Sequence, residues 1–199
     1  YRVGEDVFVA LDAAASEFYK KNKYILNDKN KLLTTDELIE YWGGLIKNYP
    51  IISIEDPFDE DDINGFAKFT NLYGKNLQIV GDDLFVTSEK KLSEGIQKQA
   101  GNSILIKLNQ VGTLTETLDT ISKAKKHNFN TIISHRSGET EDNFISDLCV
   151  GINAGQIKTG SLSRSDRTSK YNQLLRIEEQ LGEEAKFIGN EILDIINKE

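Results

Sequence analysis

Six short runs of mostly apolar residues constrain the fold of this chain more than any other feature. They lie at residues 7–12, 51–56, 78–83, 103–108, 130–135 and 156–161. None shows the strict alternation of apolar and polar residues that is typical of a strand with one face in water. We therefore predict six strands that are buried on both faces, which favours a parallel sheet covered by helices.

The segments between these runs carry apolar residues at helical spacing. The clearest is the segment after the first strand, where Thr34 and Glu37 have the spacing of a capping box and Pro50 follows as a stop signal. A later stripe of Leu114, Leu118 and Ile121 predicts a helix that packs on the sheet through those side chains. Strand and helix alternate six times, as in an α/β fold with a parallel sheet.

The segment at 183–199 is predicted to form a terminal helix, and no linker-like stretch divides residues 1–199 into separate domains. An open nucleotide-binding sheet would normally carry a G-x-G-x-x-G or G-x-x-x-x-G-K motif, and the sequence has neither. A TIM barrel of eight units needs about 250 residues. Six units in 199 residues therefore predict three quarters of a TIM-type (β/α)8 barrel.

Charge and composition exclude several classes of function. A net charge of −8 and a pI near 4.9 argue against binding to nucleic acid or to a membrane surface, because both need a basic face. No apolar run approaches the roughly 18 residues of a membrane span. The single cysteine, Cys149, cannot form an internal disulfide and indicates a reducing compartment. We expect a cytoplasmic protein in which Cys149 is a core residue and not a nucleophile.

Each predicted strand ends in a polar side chain. In chain order these residues are Asp12, Glu55, Asp82, Lys107, His135 and Lys158. Parallel strands present their carboxyl ends at one face of a barrel, and the active sites of such barrels lie at that face. We therefore expect these side chains to converge on one site.

Three of these side chains are carboxylates on consecutive strands. Asp12, Glu55 and Asp82 would repel one another unless a cation lay between them, and hard oxygen ligands suit Mg²⁺ best, with Mn²⁺ as a substitute. The neighbouring Asp56 and Asp83 are expected to serve strand-end turns or helix caps. The same structural role is the alternative interpretation for Asp12, Glu55 and Asp82.

Lys107 follows the metal ligands by one strand. The alternative is an ordinary strand end whose ammonium group extends to water. Burial and a nearby divalent cation would both disfavour the ammonium form, which makes Lys107 a candidate base. A base beside a metal suits removal of a proton α to a carboxylate, where the metal stabilises the developing negative charge.

Positive charge follows the last two strands. His135, Arg136 and Ser137 precede a predicted helix, and helix N-termini and guanidinium groups both favour phosphate. A hydrogen-bonding structural role for His135 remains an alternative. Lys158 can hold a substrate carboxylate.

Other charged residues nearby are assigned structural roles. Arg164 and Arg167 are expected to form salt bridges at the rim of the barrel. Glu139, Glu141 and Asp142 are expected in the first turn of the following helix, where the helix dipole favours acidic side chains.

Several longer motifs surround these residues. They are ALDAAASEFY, SIEDPF, GDDLFVT, LIKLNQVGTL, SHRSGETED, and IKTG followed by SRSDR and SKYNQLLRIEE. Together they resemble the enolases, and the bacterial form in particular, from the first predicted strand to about residue 182. The resemblance implies phosphopyruvate hydratase, a Mg²⁺-dependent lyase of glycolysis that reversibly dehydrates 2-phospho-D-glycerate to phosphoenolpyruvate.

The resemblance also implies a role for each motif residue. Asp12, Glu55 and Asp82 match the ligands of the first Mg²⁺, and Lys107 matches the base that takes the C2 proton. The remaining matches are substrate contacts, namely Arg136 and Ser137 for the phosphate, Lys158 for the carboxylate, and His135 in the wall of the same pocket.

Enolases also carry an N-terminal α+β domain and two barrel strands ahead of the part that this chain resembles. Those parts contribute the general-acid glutamate and a mobile loop whose serine helps to bind a second Mg²⁺. Residues 1–199 would then be a partial C-terminal barrel domain, the last six βα units, and we expect it to be nearly inactive alone. The alternative is a catalytically silent relic that acts as a binding protein, with a pool at the cell surface. Enolases usually form dimers or rings, so a homo-oligomer is expected of the complete protein.

Overall fold

The computed structural model of the protein describes residues 1–26 and 31–189. The strands are β1 (Val9–Asp12), β2 (Tyr19–Lys20), β3 (Lys23–Leu26), β4 (Lys31–Leu33), β5 (Ile51–Glu55), β6 (Gln78–Gly81), β7 (Ser103–Ile106), β8 (Asn130–Ser134) and β9 (Ile157–Lys158). The α-helices are α1 (Thr35–Asn48), α2 (Ile63–Tyr73), α3 (Glu89–Lys98), α4 (Leu108–Val111), α5 (Leu114–Lys126), α6 (Phe144–Gly151) and α7 (Ser165–Leu181). Short 3-10 helices lie at Ala15–Phe18 and Gly182–Glu184.

All six predicted strands are present and form one parallel sheet in the order β1-β5-β6-β7-β8-β9. Each strand ends at its polar residue or one residue before it, so those residues lie at a common edge. The pairing register brings Asp12 opposite Glu55 and Ser134 opposite Lys158. The predicted parallel α/β arrangement is therefore confirmed.

Contacts between strands that are not neighbours in the sheet show that the sheet is curled. Gln78 on β6 exchanges side-chain hydrogen bonds of 3.0 and 2.9 Å with Gln156, which precedes β9, although β7 and β8 lie between them in the sheet. Lys158 on β9 reaches Asp12 on β1, at the opposite edge. A parallel sheet curled in this way, with helices between its strands, is a partial α/β barrel, as predicted.

The core lies between the sheet and its helices. Helix α1 begins with the predicted capping box, in which Thr34 and Glu37 satisfy each other's backbone N–H groups, and it buries Leu38 and Trp42. Phe58, at the centre of an aromatic cluster with Phe66 and Phe69, is fully buried. Cys149 is buried too, and burial raises the pKa of its thiol to about 11, which is consistent with a core residue.

A small antiparallel sheet of β2, β3 and β4 was not predicted. Its first two strands are joined by Lys21 and Asn22, both with positive φ (50° and 60°), as in the tight turns that match the twist of a hairpin. The only local sequence signal for this hairpin was the polar pair Lys21 and Asn22 between two short apolar segments. Such a pair is a weak hairpin signal when it contains no glycine.

Two further predictions were wrong. In α5, Leu114 and Leu118 are exposed, and the buried face consists of Thr117, Thr120, Ile121 and Ala124. After α7, Gly182–Glu184 is a 3-10 helix and residues 185–189 are not helical, so no terminal helix begins where it was expected. The rest of that predicted helix, 190–199, lies outside the described residues.

No helix in the described part of the chain combines the length and the apolar character needed to cross a membrane.

Candidate active site

The polar residues at the strand ends meet, as the sequence predicted, at the carboxyl edge of the sheet. The ammonium group of Lys158 lies 2.7 Å from Asp12 Oδ2 and 2.9 Å from each carboxylate oxygen of Glu55. A cavity of about 530 Å³ reaches all three side chains and continues between β1 and β9. These residues therefore border a space large enough for a small ligand.

Lys107 forms an ion pair with Asp82. The Lys107 side chain is only 16% exposed and that of Asp82 only 10%, so the ammonium group lies against the carboxylate and not in water. The other Asp82 oxygen accepts a hydrogen bond of 3.1 Å from Gln110 Nε2. This arrangement fixes the candidate base beside a candidate metal ligand.

Thr87 and Gln110 complete a ring of hydrogen bonds that the sequence did not predict. The Thr87 hydroxyl accepts from the Lys107 backbone N–H at 3.0 Å and donates to Gln110 Oε1 at 2.5 Å. Thr87 is fully buried and has a φ of 54°, so the turn after β6 holds it in an uncommon conformation. Its only sequence signal was its place in the GDDLFVT motif.

Phe85 anchors the same turn. It is fully buried, and it packs so closely on Gly81 and Gly95 that a Cβ atom at either position would lie 2.5 or 2.3 Å from its ring. Because position 81 is glycine, the Phe85 ring can pack directly against the backbone next to Asp82.

Asp56 has the structural role that the sequence suggested. One of its carboxylate oxygens accepts the Asp82 backbone N–H at 2.9 Å, and the other accepts that of Asp83 at 2.8 Å. Burial raises the pKa of Asp56 to about 7, although these two hydrogen bonds act in the opposite direction. Asp56 thus orients the backbone that carries Asp82.

The carboxylates repel one another across the site. Burial raises the pKa of Glu55 to about 7; the hydrogen bond from Lys158 opposes this shift, and the charges of Asp12 and Asp82 add to it. Burial alone would lower the pKa of Lys158, but its hydrogen bonds to Asp12 and Glu55 outweigh burial and raise it. Negative charge is therefore only partly compensated by lysine.

Two overlapping sets of carboxylates could take part in holding a cation. In one, oxygens of Asp56, Asp82 and Asp83 lie within 4.8 Å of one another. Asp56 already uses both oxygens for backbone N–H groups, which weakens that set. Within the described residues only that first set meets this distance, so the structure does not bring the predicted set of Asp12, Glu55 and Asp82 equally close together. All of these side chains are hard oxygen donors, the kind that suits Mg²⁺ or Mn²⁺.

The segment after β8 carries the other predicted contacts. His135 continues the sheet by donating its backbone N–H to Lys158 O at 2.9 Å, and Arg136 donates to Asn109 Oδ1 at 2.7 Å. Ser137 is exposed. Burial lowers the pKa of His135, and the positive charges of Arg167 and Lys158 lower it further.

The helix expected directly after this segment begins only at Phe144. Residues 138–143 intervene, so Glu139, Glu141 and Asp142 all lie outside its first turn, and the prediction for them was wrong. Asp142 precedes the helix and accepts the Phe144 N–H, the first of the helix, at 3.0 Å. Glu139 instead forms an ion pair with Lys170, a fully buried lysine that the sequence did not single out.

Arg164 and Arg167 both form the predicted salt bridges, in each case with Asp166, at 3.2 and 3.3 Å. The prediction that both lie at the rim was wrong for Arg167, which is buried and also contacts His135. Sequence reasoning could not separate the two, because both follow the same strand and flank the same acidic residue.

A model of one protein family matches almost the whole chain. It describes the C-terminal TIM barrel domain of enolase and covers residues 1–196. The match agrees with the curled parallel sheet and with the polar residues gathered at its carboxyl edge. The chain therefore belongs to the family of enolase C-terminal TIM barrel domains.

Proposed function

We propose that this chain is the barrel domain of an enolase of the bacterial type, a lyase that reversibly dehydrates 2-phospho-D-glycerate to phosphoenolpyruvate with Mg²⁺, or with Mn²⁺ as a substitute. The observation that carries the proposal is the Lys107–Asp82 ion pair, buried beside the Lys158–Glu55 pair at the carboxyl edge of the barrel. A base and carboxylate ligands at adjacent strand ends suit removal of a proton α to a carboxylate.

Lys107 takes the C2 proton in this proposal. Its backbone N–H is fixed by Thr87, and its ammonium group contacts Asp82, so the side chain is held at both ends. Once Nζ has lost its proton to solvent, its lone pair can accept the C2 proton. A divalent cation held by Asp12, Glu55 and Asp82 would supply the positive charge that stabilises the negative charge developing on the substrate.

The other polar residues bind and orient the substrate in this proposal. Lys158 offers an ammonium group to the substrate carboxylate, at the point where it now contacts Asp12 and Glu55. Arg136 and Ser137 bind the phosphate, and His135 lies in the wall of the same pocket. The net charge of −8 makes this local positive cluster necessary, because the rest of the chain would repel an anionic substrate.

Loss of the C3 hydroxyl also needs a proton donor. By resemblance to the enolases, that acid belongs to the parts that precede this one in the family, an N-terminal α+β domain and two barrel strands. We propose that residues 1–199 act together with such parts, in which the two strands complete the barrel. Activity is then a property of the complete polypeptide, which we expect to be a cytoplasmic homo-oligomer.

Proton NMR of 2-phosphoglycerate in D₂O with Mg²⁺ tests the proposal. C2 deuteration and phosphoenolpyruvate formation are followed together, for the complete protein and for the 199-residue chain. Lys107→Ala should abolish both signals in the complete protein. Lys126→Ala, which removes an exposed lysine of α5, should change neither.

Each outcome has a distinct meaning. Lysine-dependent product from the complete protein supports the proposal. Deuteration without product from the 199-residue chain means that base and metal site work without the acid. The absence of both signals from the complete protein would contradict the proposal and would favour a catalytically silent relic.

A further inference from the structure

The segment that follows β8, residues 135–140, has no helix or strand of its own. It nevertheless carries Arg136 and Ser137, the proposed phosphate contacts, and His135, which lies in the wall of the same pocket. A loop can hold binding groups accurately only if neighbouring elements fix it. In this chain that support comes from one end of α7.

Arg167, in the first turn of α7, contacts three consecutive residues of the loop. Its Nη1 lies 2.6 Å from His135 Nδ1 and donates to Arg136 O at 2.8 Å, and its Nη2 donates to Ser137 O at 2.9 Å. Arg167 is only 8% exposed. Gly160 makes room for it, because a Cβ atom there would lie 2.7 Å from Arg167 Cδ.

The contact with His135 determines where the imidazole carries its proton. A guanidinium group has only donors, so Nδ1 of His135 must accept and cannot bear a hydrogen. The ring is therefore neutral, with its proton on Nε2, and Nε2–H is the group left to donate to a ligand. Burial and the charges of Arg167 and Lys158 act in the same sense, since they lower the pKa of His135.

Lys170, one turn further along α7, holds the other half of the loop. It is fully buried, and its ammonium group donates to Glu139 Oε2 at 2.7 Å and to the carbonyl oxygens of Thr140 and Asp166 at 2.6 Å each. The second Glu139 oxygen accepts the Arg136 backbone N–H at 3.1 Å. Lys170 thus acts on Arg136 through one intervening carboxylate.

We propose that Arg167 and Lys170 are positioning residues for the candidate phosphate site. Arg167 holds His135 as the neutral ring with its proton on Nε2, and Lys170 holds Glu139 against the Arg136 amide. The identity of the ligand rests on the proposed function, whereas the tautomer of His135 does not.

A purely structural role would keep these residues buried but would not specify a tautomer or a substrate affinity. An imidazole packed in the core for stability alone could carry its proton on either nitrogen. The tautomer and the Michaelis constant therefore separate the two roles.

Long-range ¹H–¹⁵N NMR of the complete protein, labelled with ¹⁵N-histidine, reads the tautomer directly. His135 is assigned by the loss of its signals in His135→Asn, and spectra are taken at about pH 8, where imidazole is neutral. We expect an unprotonated Nδ1 and a protonated Nε2 in the wild type, and a protonated Nδ1 fraction in Arg167→Met. A protonated Nδ1 in the wild type, or identical spectra for both proteins, would overturn the proposal for Arg167.

Steady-state kinetics provide the second test. Arg167→Lys keeps a cation but loses the planar guanidinium group. We expect the KM for 2-phosphoglycerate to rise about 10- to 100-fold with a much smaller change in kcat. The reason is that the bound substrate and the transition state lose the same contacts. Arg176→Lys, an exposed arginine on the same helix, is the matched control and should change neither. A lowered melting temperature with unchanged KM would mean a structural role only.

The Lys170 arm is tested by a double-mutant cycle. Lys170→Met and Glu139→Gln should each raise the KM, and the double variant should be no worse than Lys170→Met alone, because both changes break one chain of contacts. Lys68→Met breaks an exposed ion pair with Asp36 and is the control. Additive effects on KM would contradict the proposal.

Circular dichroism melts of each variant separate a loss of stability from a change in KM. Glu139→Gln alone still tests the arm where Lys170→Met does not fold. A wild type without turnover would refute the proposed function and leave the NMR test intact. A wild type with turnover but the opposite tautomer would refute only the inference about Arg167.

Discussion

The ammonium group of Lys158 lies 2.7 Å from Asp12, a residue 146 positions away in sequence and on the opposite edge strand of the sheet. The same group bonds both oxygens of Glu55 on the strand beside β1. One lysine therefore bridges the two edges of the curled sheet and partly compensates the negative charge of two candidate metal ligands.

Removal of this lysine should have opposite effects on metal and substrate. Lys158→Met leaves Asp12 and Glu55 without their cation, so we expect Mg²⁺ to bind about tenfold more tightly to the substrate-free protein, equivalent to about 1.4 kcal/mol. The KM for 2-phosphoglycerate should rise, because the substrate carboxylate loses its partner. Titration calorimetry with Mg²⁺ alone measures the first effect, and weaker Mg²⁺ binding would contradict it.

Glu55 should make the metal-free protein less stable as the pH rises. Its pKa is about 7 in the folded state, against an ordinary value of 4.5, so the folded state binds more protons between these values than the unfolded state does. The contribution of Glu55 to stability is therefore present below about pH 4.5 and is lost as the pH rises towards 7. Urea denaturation at several pH values measures the slope.

The variant Glu55→Gln isolates this contribution. The difference in unfolding free energy between wild type and variant should change across this pH range, in favour of the variant at higher pH. Mg²⁺ should reverse the trend in the wild type, because a bound cation favours the ionised carboxylate. A pH-independent difference between the two proteins would show that Glu55 does not titrate as expected.

Asp56 should matter for stability more than its neighbour Asp83. Asp56→Ala leaves two backbone N–H groups without acceptors and places alanine at a φ of 42°, so we expect a loss of about 2–5 kcal/mol in unfolding free energy. Asp56→Asn keeps one acceptor and tolerates the left-handed backbone, so it should lose less. Denaturant unfolding measures both, and Asp83→Ala, for which we expect a smaller loss, is the comparison.

Gly95 should resist a substitution that normally stabilises helices. A Cβ atom there would lie 2.3 Å from the ring of the fully buried Phe85, so overpacking of about 1–3 kcal/mol should outweigh the gain of about 1 kcal/mol in helix propensity. Gly44→Ala in α1 is the matched control, because no atom lies within 4 Å of the added Cβ. Thermal melts should show Gly95→Ala below and Gly44→Ala above the wild type.

Helix α5 shows why local patterns are not sufficient. Leu114 and Leu118 suggested the buried face, but the helix buries Thr117 and Thr120 instead. Their hydroxyl groups donate to backbone carbonyls one turn earlier, at 2.8 and 3.0 Å, so their burial leaves no polar group unpaired. An apolarity pattern cannot anticipate polar residues that the helix itself satisfies.

The sequence alone determined the strands, their parallel pairing and the convergence of polar residues at one edge, because all three follow from local periodicity and from the place where each strand ends. Tertiary structure decided the partners: Lys158 with Asp12, Arg167 with His135, and Lys170 with Glu139. Each of these pairs joins residues at least 31 positions apart. Their contacts depend on the curl of the sheet and on the packing of α7 against the loop after β8, which no short stretch of sequence encodes.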